Sequence, residues 1–149
     1  MKLERHYKYL IKPTAEQKEI IIRTFGAVRF VYNHYLDDLR AGKNMKGLAK
    51  DIVGGYREEY PFLNGIDGSA LMNVIFQAQD KGNTLHRYKK RKDAKASYTT
   101  ANLFRSPVRI VDDRYILLPK LGNVEIIFHR SLPEKAAIKK VTVMREGDG

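Results

Sequence analysis

Arg29 and Asn33 stand one helical turn apart in the stretch Phe25-Gly26-Ala27-Val28-Arg29-Phe30-Val31-Tyr32-Asn33, with Phe30 and Tyr32 between them. A guanidinium can fork onto a phosphate or a base edge, a side-chain amide can pair with a base, and aromatic rings can stack on unpaired bases. The same four residues could equally form a buried polar knot that fixes one helix against the next. A second constellation lies downstream. Arg87, Lys89, Lys90, Arg91, Lys92 and Lys95 are six basic groups with only Asp93 among them, a local balance of +5. Tyr88, Tyr98 and Phe104 are interleaved with that run and with the strand after it. Cations beside aromatics on a sheet are how OB-like barrels hold single strands, while a solvated helix end and ordinary core rings are the plainer readings.

The whole chain shares this bias. Its 149 residues hold 28 Lys and Arg against 17 Asp and Glu, a net charge of +11 with a pI near 9.8. Such a balance favours polyanionic partners, because neutralising phosphates releases their counterions. There are no cysteines, which excludes disulfides, a thiol nucleophile and a zinc ribbon within these residues. His6, His34, His86 and His129 lack metal-ligand spacing, and Asp37-Asp38 and Asp112-Asp113 are adjacent pairs whose carboxylates diverge. We therefore expect no metal, no cofactor and no catalytic residue. No signal peptide and no run of roughly 18 apolar residues is present, which implies a soluble cytoplasmic protein without a membrane partner.

Residues 5–12 alternate, with Tyr7, Tyr9 and Ile11 on one face, and Pro13 ends the strand. Thr14-Ala15-Glu16-Gln17 is a capping-box pattern that starts a helix. Ile21, Phe25, Val28, Tyr32, Tyr35 and Leu39 follow 4-3-4-3-4 spacing along it, and Ala41-Gly42 ends it. Gly26, inside this helix, serves either close helix packing or a ligand passing nearby. A weaker helix is expected from about Lys46 to Glu59 on Leu48, Ile52 and Tyr56, and a third from Asp67 on Leu71, Val74, Ile75 and Ala78. From Ser97 the period becomes two. Strands are expected over Ser97 to Phe104, Val108 to Val111, Tyr115 to Leu118, Val124 to His129 and Ile138 to Met144. Short strands joined by tight turns suggest an antiparallel barrel or meander into which the first strand pairs.

With those blocks in order, the chain resembles the N-terminal part of the TnpB/OrfB family of transposon-encoded, RNA-guided nucleases, relatives of the type V CRISPR effectors. The resemblance runs through Tyr7-Lys8-Tyr9-Leu10-Ile11-Lys12-Pro13-Thr14 and the Phe25 to Asn33 helix. It continues through Glu59-Tyr60-Pro61-Phe62-Leu63 with Asp67 and Ala70-Leu71, and Tyr88-Lys89-Lys90 with Ser97-Tyr98-Thr99-Thr100. Leu118-Pro119-Lys120-Leu121-Gly122, His129-Arg130 and Lys140-Val141-Thr142-Val143 complete it. It implies an α+β chain in which a small antiparallel OB-like β-barrel receives an inserted helical bundle, annotated in sequence families as a helix-turn-helix. Residues 1–13 would be the first barrel strand (wedge-like), 14–92 the helical recognition domain and 93–149 the rest of the barrel. In the family these parts hold the guide RNA scaffold and a short DNA motif, and a later RuvC-like carboxylate trio cuts.

The chain stops near where that nuclease domain is expected to begin. The expectation is thus a non-catalytic nucleic-acid-binding module for structured RNA, DNA or both, with a C-terminal nuclease half supplied in trans as one arrangement. The expected contacts are Arg29, Asn33, Arg87, Tyr88, Lys89, Lys90, Arg91, Lys92, Lys95, Tyr98, Lys120 and Arg130. The alternatives are an autonomous helix-turn-helix regulator binding duplex DNA, a nuclease completed by a partner chain, and a folded remnant that binds polyanions weakly. Oligomeric state is not specified by the sequence.

Overall fold

The computed structural model describes residues 7–42, 47–79, 97–101, 108–128, 138 and 140–145. Strand β1 (Leu10–Lys12) leads into α1 (Ala15–Arg40), then come α2 (Ala49–Glu59), a 3-10 turn (Pro61–Gly65) and α3 (Gly68–Gln79). Five strands follow: β2 (Ser97–Ala101), β3 (Arg109–Val111), β4 (Tyr115–Leu118), β5 (Gly122–Ile127) and β6 (Lys140–Met144). The fold is α+β, and every strand pair is antiparallel.

Helix α1 starts where the capping box predicts. The Thr14 hydroxyl accepts from the Gln17 amide at 3.2 Å, and the Gln17 side chain accepts from the Thr14 amide at 2.9 Å. The helix ends at Ala41, and Gly42 takes a left-handed φ of 78°, which a glycine adopts without strain. Ile21, Phe25, Val28, Tyr32 and Tyr35 of the predicted stripe are buried and Leu39 is partly so. That face packs on α3, whose Leu71, Val74, Ile75 and Ala78 are all buried, and on β2. Asp67 caps α3, accepting from the Ser69 amide at 2.9 Å, and the Ser69 hydroxyl accepts from the Ala101 amide at 3.0 Å, tying α3 to β2.

Three expectations are corrected. Among the described residues the first strand forms over Leu10–Lys12, not from Tyr7, and pairs with β5 in the register Leu10↔Ile127 and Lys12↔Glu125. Helix α2 begins at Ala49, and its buried face is Ala49, Val53 and Tyr56. Leu48, placed on that face by spacing alone, is the N-cap and is 69% exposed. The third concerns the barrel. The strands form a four-stranded sheet, β1-β5-β4-β3, and a separate β2-β6 pair. Among the described residues no hydrogen-bonded strand pair joins the two, so they do not close into a barrel. In the sheet turns, Asp112 and Asp113 both take left-handed φ values (54° and 55°) between β3 and β4, and Lys120 (φ 68°) does so between β4 and β5.

Candidate nucleic-acid interface

One flank of α1 faces away from its core stripe. Gly26, Arg29, Phe30, Asn33, His34 and Asp37 recur there at helical spacing, and with Phe62 they line an open groove of about 420 Å³. That volume lies in the range of small-ligand sites. Arg29 and Asn33 therefore sit on a groove wall, half-buried, and not in the core. Gly26 is at the same wall, and a Cβ built on it would meet no atom within 4 Å. Of the two roles open to this glycine, close helix packing within the described chain is thus removed. Its lack of a side chain leaves space.

The aromatic residues of the lining pack on one another and on α2 and the turn after it. Phe30 stacks on His34 (centroids 5.6 Å apart, interplanar angle 11°) and meets Tyr60 and Phe62 edge-on at 4.9 and 5.2 Å. His34 meets Tyr56 and Tyr60 edge-on, each at 5.1 Å. Such offset and T-shaped arrangements match the positive edge of one ring to the negative face of another. Phe62 is carried by the 3-10 turn, which opens on Pro61, and remains 59% exposed despite that contact. It is one of seven large apolar side chains that the described residues leave exposed, Phe76 (51%) among them.

A buried polar relay lies behind these aromatic residues. Asp38, 6% exposed, accepts from the Tyr56 hydroxyl at 2.7 Å. The His34 Nε2 lies 3.5 Å from the same carboxylate oxygen and 3.4 Å from the Tyr60 hydroxyl. Burial, and then the Asp38 carboxylate bonded to it, pushes the Tyr56 phenol well above its ordinary value. Tyr56 accordingly stays a hydroxyl donor to Asp38, and its ring meets His34, which in turn stacks on Phe30.

The other expected contacts are not gathered here. Arg87, Tyr88, Lys89, Lys90, Arg91, Lys92, Lys95 and Arg130 lie outside the described residues, as does Phe104. Lys120 is exposed at the β4–β5 hairpin tip. That tip is bonded to Gln17, twelve residues before Arg29 along α1, or about 18 Å at 1.5 Å per residue. Tyr98 requires a correction. It is 4% exposed, its ring packs against Phe25 at 5.8 Å, and burial pushes its phenol up, so its faces are used by the core and offer no platform for a base. Tyr32 is likewise buried. Phe62, His34 and Asp37 were missed as groove residues. The exposed aromatic after Pro61 was the one available signal, since spacing on α1 alone could not say which flank stays open.

Comparison with known proteins bears on what this surface serves. Residues 1–41 match the OrfB/IS605 family model, described as a helix-turn-helix domain. The described residues of that segment, 7–41, hold β1 and the single long helix α1. Over 99% of its length the chain aligns at 30% identity with a Streptomyces pristinaespiralis protein named "Putative RNA-guided DNA endonuclease". The chain spans about 40% of the length of that curated relative. No helix among the described residues is long and apolar enough to cross a membrane. The chain is thus similar to the OrfB/IS605 helix-turn-helix model over residues 1–41 and, over nearly its whole length, to part of that endonuclease.

Proposed function

We propose that this chain is a nucleic-acid-binding module of a TnpB-like transposon protein, one that holds structured RNA, target DNA or both without cutting them. The net charge of +11 supports a polyanionic partner, and the similarity to an RNA-guided endonuclease names the class of partner. The observation that carries the reading is the placement of Arg29 and Asn33 side by side on an open groove wall. The basic residues between Arg87 and Lys95, with Lys120 and Arg130, supply backbone capture, and the groove adds contacts that depend on shape. The finer division proposed is a wedge-like β part from residues 1–13 and 93–149, with residues 14–92 as the inserted recognition part.

The test is fluorescence anisotropy of labelled RNA and DNA at several salt concentrations. Each phosphate contact contributes about 0.7 to 0.9 to the slope of log K against log salt. Replacing Arg87, Lys89, Lys90 and Arg91 together by Ala should weaken binding and flatten that slope. Unchanged affinity and slope in the quadruple variant would overturn the proposed role of the basic run.

A further inference from the structure

We infer that the α1 groove is a receptor for a single unpaired base of a bound strand, stacked on Phe62 above the gap left by Gly26. The inference rests on the nucleic-acid reading and specifies what one part of the surface takes. Four observations converge on it. The Phe62 ring follows Pro61 on the 3-10 turn and meets Phe30 edge-on, yet is 59% exposed. The volume beside it, about 420 Å³, is open to solvent and suits one planar ring system better than a helix of paired bases. Gly26 has no neighbour within 4 Å of a notional Cβ, so no described element of this chain fills the space. Arg29 and Asn33 bring a cation and an amide to the same wall, the groups that meet a phosphate and a base edge.

A base within a duplex has both faces covered and cannot present one to Phe62. The groove should therefore discriminate by strandedness, whereas a basic run acting on phosphates should not. RNA and DNA share the chemistry of an unpaired base, and the experiment separates them.

The full chain contains no tryptophan, so Phe62→Trp introduces a single indole at the groove mouth. Its emission is recorded with an unstructured 15-mer RNA, the matching DNA, and the same DNA as duplex, while anisotropy of a labelled strand reports total binding. The expected result is quenching by one or both single strands and none by the duplex. Gly26→Leu in the Phe62→Trp background should abolish the quenching. In the otherwise unaltered chain, Phe62→Ala should weaken single-strand binding roughly 5- to 150-fold, the range for losing one stacked base, while leaving duplex binding unchanged. Because Phe62 is exposed, that variant is informative even if Gly26→Leu fails to fold. If single strands bind with no change in emission, or duplex quenches equally, the groove is not a base receptor and the nucleic-acid reading still stands. If no strand binds at all, that reading falls and takes this one with it.

Discussion

The side-chain amide of Gln17 donates to the main-chain carbonyl of Asn123 at 2.7 Å and to that of Leu121 at 3.1 Å, while its oxygen completes the cap of α1. One residue thus starts the longest helix and fastens it to the β4–β5 hairpin. Gln17→Glu keeps an acceptor for the cap and places a favourable charge at a helix N-terminus, but loses both donors and turns a carboxylate toward two carbonyl oxygens. We expect it to destabilise the fold by about 1–2 kcal/mol, consistent with losing two partly exposed hydrogen bonds. Urea unfolding followed by circular dichroism decides this, and equal or higher stability would show that Gln17 acts only as a cap.

Tyr56 and Asp38 predict the cost of disturbing the relay behind the groove. Tyr56→Phe keeps the ring against His34 but removes one donor from an Asp38 side chain that is 6% exposed. Leaving a buried acceptor short of a partner costs about 1–3 kcal/mol. The expected outcome is a loss of that size in urea unfolding, with Asp38→Asn in the Tyr56→Phe background recovering part of it by removing the buried charge.

Gly26 separates stability from function. Its backbone is ordinary α-helix with open space beside it, so Gly26→Ala should raise stability by up to about 1 kcal/mol, the usual gain in helix propensity. A fall in the thermal midpoint would mean that something outside the described residues occupies that space.

Alkaline behaviour follows from Tyr56 and Tyr98. Burial is the main cause that raises both phenols, joined by the bond to Asp38 for Tyr56 and by the charge of Asp67 for Tyr98. An acid whose folded pKa exceeds its unfolded value contributes stability that is complete below the unfolded pKa, about 10 for tyrosine. That contribution is lost as pH rises from there toward the folded value, because the unfolded chain gives up its protons first. Stability should be level with respect to these groups up to about pH 10 and fall above it. Tyr98→Phe should move the alkaline unfolding midpoint upward, and superimposable alkaline curves for the two proteins would refute the assignment.

What the sequence alone determined is what near neighbours determine. The capping box at Thr14 and Gln17, the buried stripe from Ile21 to Tyr35 and the Asp67 cap all depend on residues a few positions apart, whose geometry the backbone period dictates. Arg29 and Asn33 were legible as a pair for the same reason. The tertiary structure decided the rest. Alternation in β2 could not say that Tyr98 faces inward until β2 packed on α1 and α3, and spacing could not say that α2 turns Ala49 inward and leaves Leu48 in solvent. Sheet closure was open too, since period two fixes faces but not which strands exchange hydrogen bonds. The groove is the clearest case: Gly26 and Phe62 are 36 positions apart, and only the packing of α2 and its following turn against α1 brings an exposed ring to the groove that the one glycine of α1 lines.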